Sequence, residues 1–320
     1  MPTIDHKQDA PFALQIELTE GCNLRCSFCG INGIRTKHRH HKFMALQTVD
    51  KIIDELLESG WNPRIEFAMH GEPTLHPKYQ KWIRRFRQRL PKKTHIMITS
   101  NGAGLLSSPT ENIDELLESV NVLALDEYEG IKIVANLKKG YKGIHEFLAY
   151  PDNVKANPHK RRRPNEHVLV VVRDIAKATK GNHSLLNNHC GCAAPPNENM
   201  ANMRCAKPFR EMSIRWDGSV ALCCNDWRGV YKCGNIHTAS IENIWNNKYF
   251  RTARIRLYAK QRDFKPCLGC DAVSYRLGLL PDKYGQKSMI PPNDARDFVV
   301  IDAALAGESY TEPVKRSWER

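Results

Sequence analysis

The sequence predicts an α/β protein whose parallel sheet curves into part of a barrel, followed by a smaller unit of β-hairpin plus helix. Two observations predict it. From Ala13 to Val172, short β-type apolar runs alternate with segments of helical periodicity, and repeated units of this length imply right-handed crossovers between parallel strands. After about Gly181 the composition turns to Asn, Cys and Pro, and the alternation stops.

Ala13 to Thr19 reads as the first strand. After a cysteine-rich loop, Val49, Ile52, Ile53, Leu56 and Leu57 fall on one face of a helix that Gly60 can end. Arg64 to Met69 is a second strand, followed by a helix with Tyr79, Trp82, Ile83, Phe86 and Leu90 on one side. His95 to Thr99 is a third strand, Ile113 to Leu117 a short helix, Asn121 to Leu125 a fourth strand and His167 to Val172 a fifth. Pro151 to Pro164, with the run Lys160-Arg161-Arg162-Arg163, reads as an exposed basic loop. Met212 to Trp216 and Val220 to Cys223 flank the turn Asp217-Gly218 as a hairpin. One helix over 241–258 leads to Cys267-Leu-Gly-Cys270, and the residues beyond, with Ile290-Pro-Pro, read as an extended tail. The expected division is a barrel over 1–185, a cysteine-rich domain over 186–275 and a tail over 276–320. No internal repeat of fixed period is present in the sequence.

With 320 residues, 41% of them hydrophobic and 26% charged, the chain is long enough to bury a large core, which argues against disorder and a coiled coil. Apolar runs such as Val168 to Val172 are far short of the roughly 20 residues of a bilayer crossing, and Met1-Pro-Thr-Ile-Asp-His-Lys has no apolar signal core. A soluble, cytoplasmic protein with no membrane partner is expected. Eleven cysteines, an odd number in a chain without an export signal, point to metal or redox use rather than a disulfide framework. The formal charge of +13 favours anionic partners.

Cys22-Asn-Leu-Arg-Cys26-Ser-Phe-Cys29 directly follows the first strand, so three thiolates converge at the end of the sheet where chemistry sits in such folds. A structural zinc site wants four ligands, and no fourth is obvious here. Three thiolates suit a four-iron cluster with one iron left open.

The C-x3-C-x2-C spacing resembles the signature of the radical S-adenosylmethionine (SAM) superfamily. That resemblance implies a partial (β/α)6 barrel in which the open iron binds SAM, and a reduced [4Fe-4S] cluster cleaves it to a 5′-deoxyadenosyl radical that takes a hydrogen atom from substrate. Cys22, Cys26 and Cys29 are then the catalytic cluster ligands. His70-Gly71-Glu72-Pro73 resembles the family's G-G-E-P segment, which holds the SAM ammonium, with His70 in place of the first Gly. Thr99-Ser100-Asn101-Gly102 resembles its ribose-contacting T-N-G segment. Ala124-Leu125-Asp126 stands where many members carry S-[IL]-D, and Phe28 resembles the aromatic residue that packs near adenine. Gly71, Glu72, Pro73, Ser100, Asn101, Asp126 and Phe28 are thus the implied SAM contacts; an ordinary turn carboxylate and a turn-forming Asn are the plainer readings of Glu72 and Asn101.

Cys205, Gly218, Cys223 and Cys267-x-x-Cys270, with Gly234-Asn-Ile-His and Ser240-Ile-Glu-Asn-Ile-Trp245 between them, resemble the auxiliary-cluster domain called SPASM, in the shortened form called twitch, since no cysteine follows Cys270. The resemblance implies a second [4Fe-4S] cluster on Cys205, Cys223, Cys267 and Cys270, and a reductant such as flavodoxin or ferredoxin; the four thiolates by themselves leave zinc open. Cys190, Cys192, Cys224 and Cys233 remain. Cys190-Gly-Cys192, in a loop, is a candidate hydrogen donor or ligand to a further cluster, Cys224 an alternative ligand, and idle thiols are the common case.

Relatives of this kind act on peptides, protein side chains, sugars and nucleotides, and the basic residues are the only further clue. Lys78 to Lys93 carries eight without an acid, Arg35 to Lys42 carries four with three histidines, and the Lys160 loop carries four. The helix from Lys78 alone reads as a solvated face. Several clusters of one sign fit a polyanion, so the expected substrate is anionic, leaning to a nucleotide or a base of DNA or RNA. A peptide-modifying maturase is the alternative, weakened because no leader-binding domain is expected before Ala13. A non-catalytic iron-sulfur electron carrier is a third reading, which the SAM-like motifs weigh against.

Overall fold

The computed structural model describes residues 10–26, 28–33, 41–108, 110–128, 169–174, 187–193, 201–203 and 205–272. The elements in order are β1 (Ala13–Ile16), β2 (Thr19–Glu20), β3 (Lys42–Phe43), α1 (Leu46–Ser59), β4 (Arg64–Phe67), α2 (Tyr79–Arg89), β5 (Ile96–Ser100), α3 (Ala103–Leu106), α4 (Thr110–Ser119), β6 (Val122–Glu127) and β7 (Leu169–Asp174). The C-terminal part adds α5 (Lys207–Arg210), β8 (Glu211–Ile214), β9 (Ser219–Ala221), β10 (Lys232–Asn235), α6 (Ile241–Trp245) and α7 (Lys248–Tyr258).

One sheet runs through both parts in the order β10-β9-β8-β1-β4-β5-β6-β7. Strands β8, β1, β4, β5, β6 and β7 are parallel, and β9 and β10 continue antiparallel. The mixed α/β fold with a partial parallel barrel is therefore present, and the sheet is open at both edges among the described residues. The sixth parallel strand comes from the hairpin region: Ala13 of β1 lies opposite Arg64 on one side and Glu211 on the other.

Strand alternation puts Leu14, Ile16, Ile65, Phe67, Ile96, Ile98, Leu123, Leu125, Met212 and Ile214 in one buried core with Val49, Ile52, Ile53 and Leu56 of α1, Ile83 and Phe86 of α2 and Leu116 of α4. The intervening positions Gln15, Arg64, Glu66, Glu211 and Ser213 are buried too, so the opposite face of the sheet is polar and covered. α1 ends as expected, with Gly60 left-handed at φ 68° and its N–H donating to Leu57 O.

The basic face of α2 is an ion-pair seam. Arg84 pairs with Glu115 at 2.9 Å, Arg85 with Asp50, and Arg89 with Asp50 at 3.0 Å and with Asp54, while Arg87 donates to Asn121 Oδ1 at 2.6 Å. Its charges thus fasten α2 to α1 and α4. The Lys160 run and residues 35–40 lie outside the described residues.

Several elements differ from expectation. The first strand ends at Ile16, and β2 resumes at Thr19 to pair with β3. The helix expected over 241–258 is two helices, because Asn247 Oδ1 accepts the N–H groups of Tyr249 and Phe250 and so caps a new start. β10, in Lys232-Cys-Gly-Asn, carries no apolar alternation and was not foreseen. No described helix is long and apolar enough to cross a membrane.

Candidate active site and cluster-binding sites

The first cysteine loop leaves the carboxyl end of β1 and meets the turns that follow β4 and β5. Gly21 bridges Gly71 in parallel, and Glu72 N donates to Gly21 O at 2.9 Å. A side chain at Gly71 would put Cβ 1.9 Å from Thr19 O, so only glycine permits this approach. Cys22, Cys26 and Cys29 are half-buried neighbours, with Cys29 N donating to Cys26 O at 3.0 Å. Burial pushes the Cys22 thiol up to about 12 and Cys29 up to about 11, the negative charge of the other cysteines adding to the effect. Metal coordination inverts that balance, since a bound cation deprotonates its thiols outright.

Glu72 is the knot of the site. Its Oε1 accepts from Thr74 N at 3.0 Å, Thr74 Oγ1 at 2.6 Å and Ser100 Oγ at 2.6 Å, and its Oε2 from Asn101 N at 2.7 Å. Burial raises its pKa, and these four donors oppose the rise. The carboxylate joins the turn after β4 to the turn after β5, with Pro73 starting a short 3-10 turn between them. Asn101 Nδ2 reaches Asn23 Oδ1 at 3.0 Å and Cys22 Sγ at 3.5 Å, so the third turn is tied directly to the cysteine loop. At the end of β6, Asp126 Oδ2 accepts the Tyr128 hydroxyl at 3.1 Å, and the Tyr128 ring stands 5.5 Å from that of Phe28. Sequence reasoning placed Phe28 and Asp126 here and missed Tyr128, whose position two residues past Asp126 was its only signal.

The second set gathers around the loop 267–270. Cys205, Cys223, Cys267 and Cys270 are buried electrostatic neighbours. The buried guanidinium of Arg262 donates to Cys270 O at 2.8 Å, Ala272 O at 3.2 Å and Met203 O at 2.8 Å, and its charge lowers the Cys205 thiol against the upward push of burial. Arg262 had no motif to announce it. Cys233 is buried away from solvent, with its carbonyl on Asn247 Nδ2 at 2.6 Å. Cys224 faces Lys207 Nζ at 3.2 Å and Glu211 Oε1 at 3.3 Å.

The two sets are joined. His70, fully buried, donates Nε2–H to Cys224 O at 2.7 Å and places Nδ1 3.3 Å from Glu17. Trp227 packs between His70 and His189, with ring centroids 4.8 and 4.6 Å apart. His189, held down to about 4 by burial, is neutral near pH 7 and accepts Gly30 N–H on Nδ1 at 3.2 Å, beside Cys29. The residue expected as the family's first Gly is thus part of the contact between the two regions.

Zinc draws its four ligands to about 2–2.3 Å from one point. Among the described residues no three His, Cys, Asp or Glu side chains are arranged to hold a single metal ion. Both sets are made of thiols, three in the first loop and four around 267–270, a soft-sulfur donor set that suits iron-sulfur clusters.

Comparison with known proteins agrees. The segment 205–271 matches the SPASM family, described as an iron-sulfur cluster-binding domain. A probable GTP 3′,8-cyclase of Methanococcus maripaludis is 28% identical over 140 residues, covering 42% of this chain and 45% of that protein. The chain thus matches less than half the length of such cyclases. A tungsten-containing aldehyde ferredoxin oxidoreductase cofactor-modifying protein of Pyrococcus furiosus is 21% identical over 316 residues, covering 80% of this chain and 86% of the relative. The crystal structure of BtrN in complex with AdoMet and 2-DOIA shares the fold at a TM-score of 0.62 and 18% identity, over 83% of this chain and 95% of that one. The Radical SAM superfamily pattern itself matches residues 16–178, half of the sequence, and the chain belongs to that superfamily.

Proposed function

We propose that this radical SAM enzyme takes a hydrogen atom from an anionic substrate of the nucleotide class, using Cys22, Cys26 and Cys29 for the SAM-binding cluster and Cys205, Cys223, Cys267 and Cys270 for the auxiliary one. The observation that carries the assignment is the convergence of the cysteine loop, the Glu72 knot and the Asn101 turn at the carboxyl ends of β1, β4 and β5. When bound, the reduced cluster and SAM supply a 5′-deoxyadenosyl radical.

The chain's own residues do the positioning. Glu72 fixes the turns after β4 and β5 beside the cysteine loop, where the turn backbone would accept from the SAM ammonium. Ser100 and Asn101 sit on that frame, where they would meet the ribose of SAM, and Phe28 with Tyr128 would offer aromatic faces to its adenine. Arg262 places a buried positive charge against the auxiliary cysteines, where an anionic cluster needs one.

Support for the substrate class is the +13 charge and the activity named for the cyclase relatives; the α2 cluster no longer contributes, since its arginines are paired. The test is anaerobic reconstitution, iron counting and a dithionite-driven 5′-deoxyadenosine assay with nucleotide, RNA, DNA and peptide pools. About eight irons per chain are expected, with nucleotides stimulating cleavage and added salt suppressing that stimulation. Stimulation by peptides alone overturns the substrate reading, and a loaded protein that never forms 5′-deoxyadenosine overturns the site assignment.

A further inference from the structure

Four thiols complete a four-iron cluster, yet a further, fifth thiol is hydrogen-bonded to two of the auxiliary four. The fifth is Cys190, within hydrogen-bonding reach of both Cys223 and Cys270. Its loop is fastened to the cluster loop at three points. Asn188, buried, donates its Nδ2 to Gly269 O at 2.7 Å, its N–H donates to Asp271 Oδ1 at 2.7 Å, and its Oδ1 accepts Asp271 N at 3.3 Å. Gly269 lies between Cys267 and Cys270, so the anchor acts on the ligand loop itself.

The backbone is strained to put the thiol there. His189 and Cys190 have φ of 49° and 54°, and Gly191 continues in the left-handed region at 79°. Two consecutive non-glycine residues in that region are disfavoured and persist only where the surroundings hold them. Cys190 also lines one cavity of about 650 Å³ with Cys192, Trp227, Arg228, Leu268 and Gly269, over the same loop. Cys224 has a different setting, between Lys207 and Glu211.

We propose that Cys190 is a fifth ligand of the auxiliary cluster, able to replace Cys223 or Cys270 on iron. The exchange is redox-neutral: one iron–thiolate bond breaks as another forms, the incoming thiol's proton passing to the departing thiolate. The hydrogen-bond partners of Cys190 are Cys223 and Cys270, so no such replacement is assigned to Cys205 or Cys267. The proposal rests on the auxiliary-cluster reading above, and the experiment separates the two.

In a Cys22→Ala, Cys26→Ala, Cys29→Ala background, iron content reports the auxiliary cluster alone, about four irons per chain. Cys205→Ala should empty the site; iron retained there would refute the auxiliary-cluster reading itself. Cys223→Ala and Cys270→Ala should each keep more than half of the iron, and adding Cys190→Ala to either should bring it down to the Cys205→Ala level. Loss of iron in Cys223→Ala and Cys270→Ala as complete as in Cys205→Ala overturns the proposal. Because a ligand variant can fail to fold, Cys190→Ala alone supplies a second reading in the otherwise intact protein. Its dithionite-reduced electron paramagnetic resonance spectrum should shift in g-values at unchanged iron content, and a spectrum identical to wild type would also overturn the proposal.

Discussion

Nδ1 of His189 accepts the backbone N–H of Gly30 at 3.2 Å, which ties the loop of Cys190 and Cys192 to the loop of the first three cysteines. The same imidazole packs on Trp227, so one side chain serves both contacts. His189→Ala should lower stability by about 1–3 kcal/mol, the usual effect of orphaning a buried donor. Amide exchange at Gly30 should accelerate by at least tenfold, and unchanged exchange there would remove His189 from the junction.

The Trp227 ring packs between the imidazoles of His70 and His189. Trp227→Ala should destabilise by about 3–5 kcal/mol, as for other large buried aromatics. Trp227→Phe should recover more than half of that loss in thermal or denaturant unfolding. Equal loss in both variants would show that ring stacking is not what joins the two regions.

Glu72→Gln tests the knot. An amide keeps one acceptor oxygen but turns an NH2 donor toward the donors Thr74, Ser100 and Asn101, so at least one of four hydrogen bonds is lost. Affinity for SAM, measured by anaerobic equilibrium binding, should fall about tenfold or more for a loss of about 1.4 kcal/mol, while iron content stays near wild type.

Gly71→Ala should be more severe than Gly60→Ala. Cβ at Gly71 would meet the Thr19 carbonyl at 1.9 Å, whereas Cβ at Gly60 meets nothing within 4 Å and strains only φ. Overpacking typically costs about 1–3 kcal/mol and sometimes more, against about 1 kcal/mol for a left-handed alanine. Soluble yield and melting temperature of the two variants give the comparison.

His76 sets a pH dependence. It is buried, its Nε2–H donates to Met44 O at 2.9 Å, and its Nδ1 accepts Lys78 N at 3.0 Å, so the ring is neutral in the fold. Burial lowers its pKa below the ordinary 6.5. The unfolded chain therefore binds a proton that the folded one refuses, and stability from this group, complete above pH 6.5, is lost as pH falls below it. His76→Gln should flatten the fall in melting temperature between pH 7 and 5.

The fold was legible where periodicity was strong. The apolar face of α1 and the capping role of Gly60 follow directly from Val49, Ile52, Ile53 and Leu56. The order of the motifs also placed the cysteine loop, Glu72 and Asn101 at adjacent strand ends. What stayed hidden came from long-range geometry. Nothing local marks β8 as the partner of β1, Arg262 as the clamp on Cys270, or Cys190 as a neighbour of Cys223. The partners of the α2 arginines were hidden for the same reason, because Asp50, Asp54 and Glu115 lie on other helices.

The position of β1 inside the sheet has a consequence for biosynthesis. Its β4-facing edge is covered soon after synthesis, but the edge that pairs with β8 waits until Glu211 to Ile214 have been made. Until then the nascent chain carries an unpaired apolar strand edge, a template for association with other chains. Pairing across so long a separation is also slow to form. Newly made protein should thus depend on chaperones, and overproduction should yield inclusion bodies unless translation is slowed.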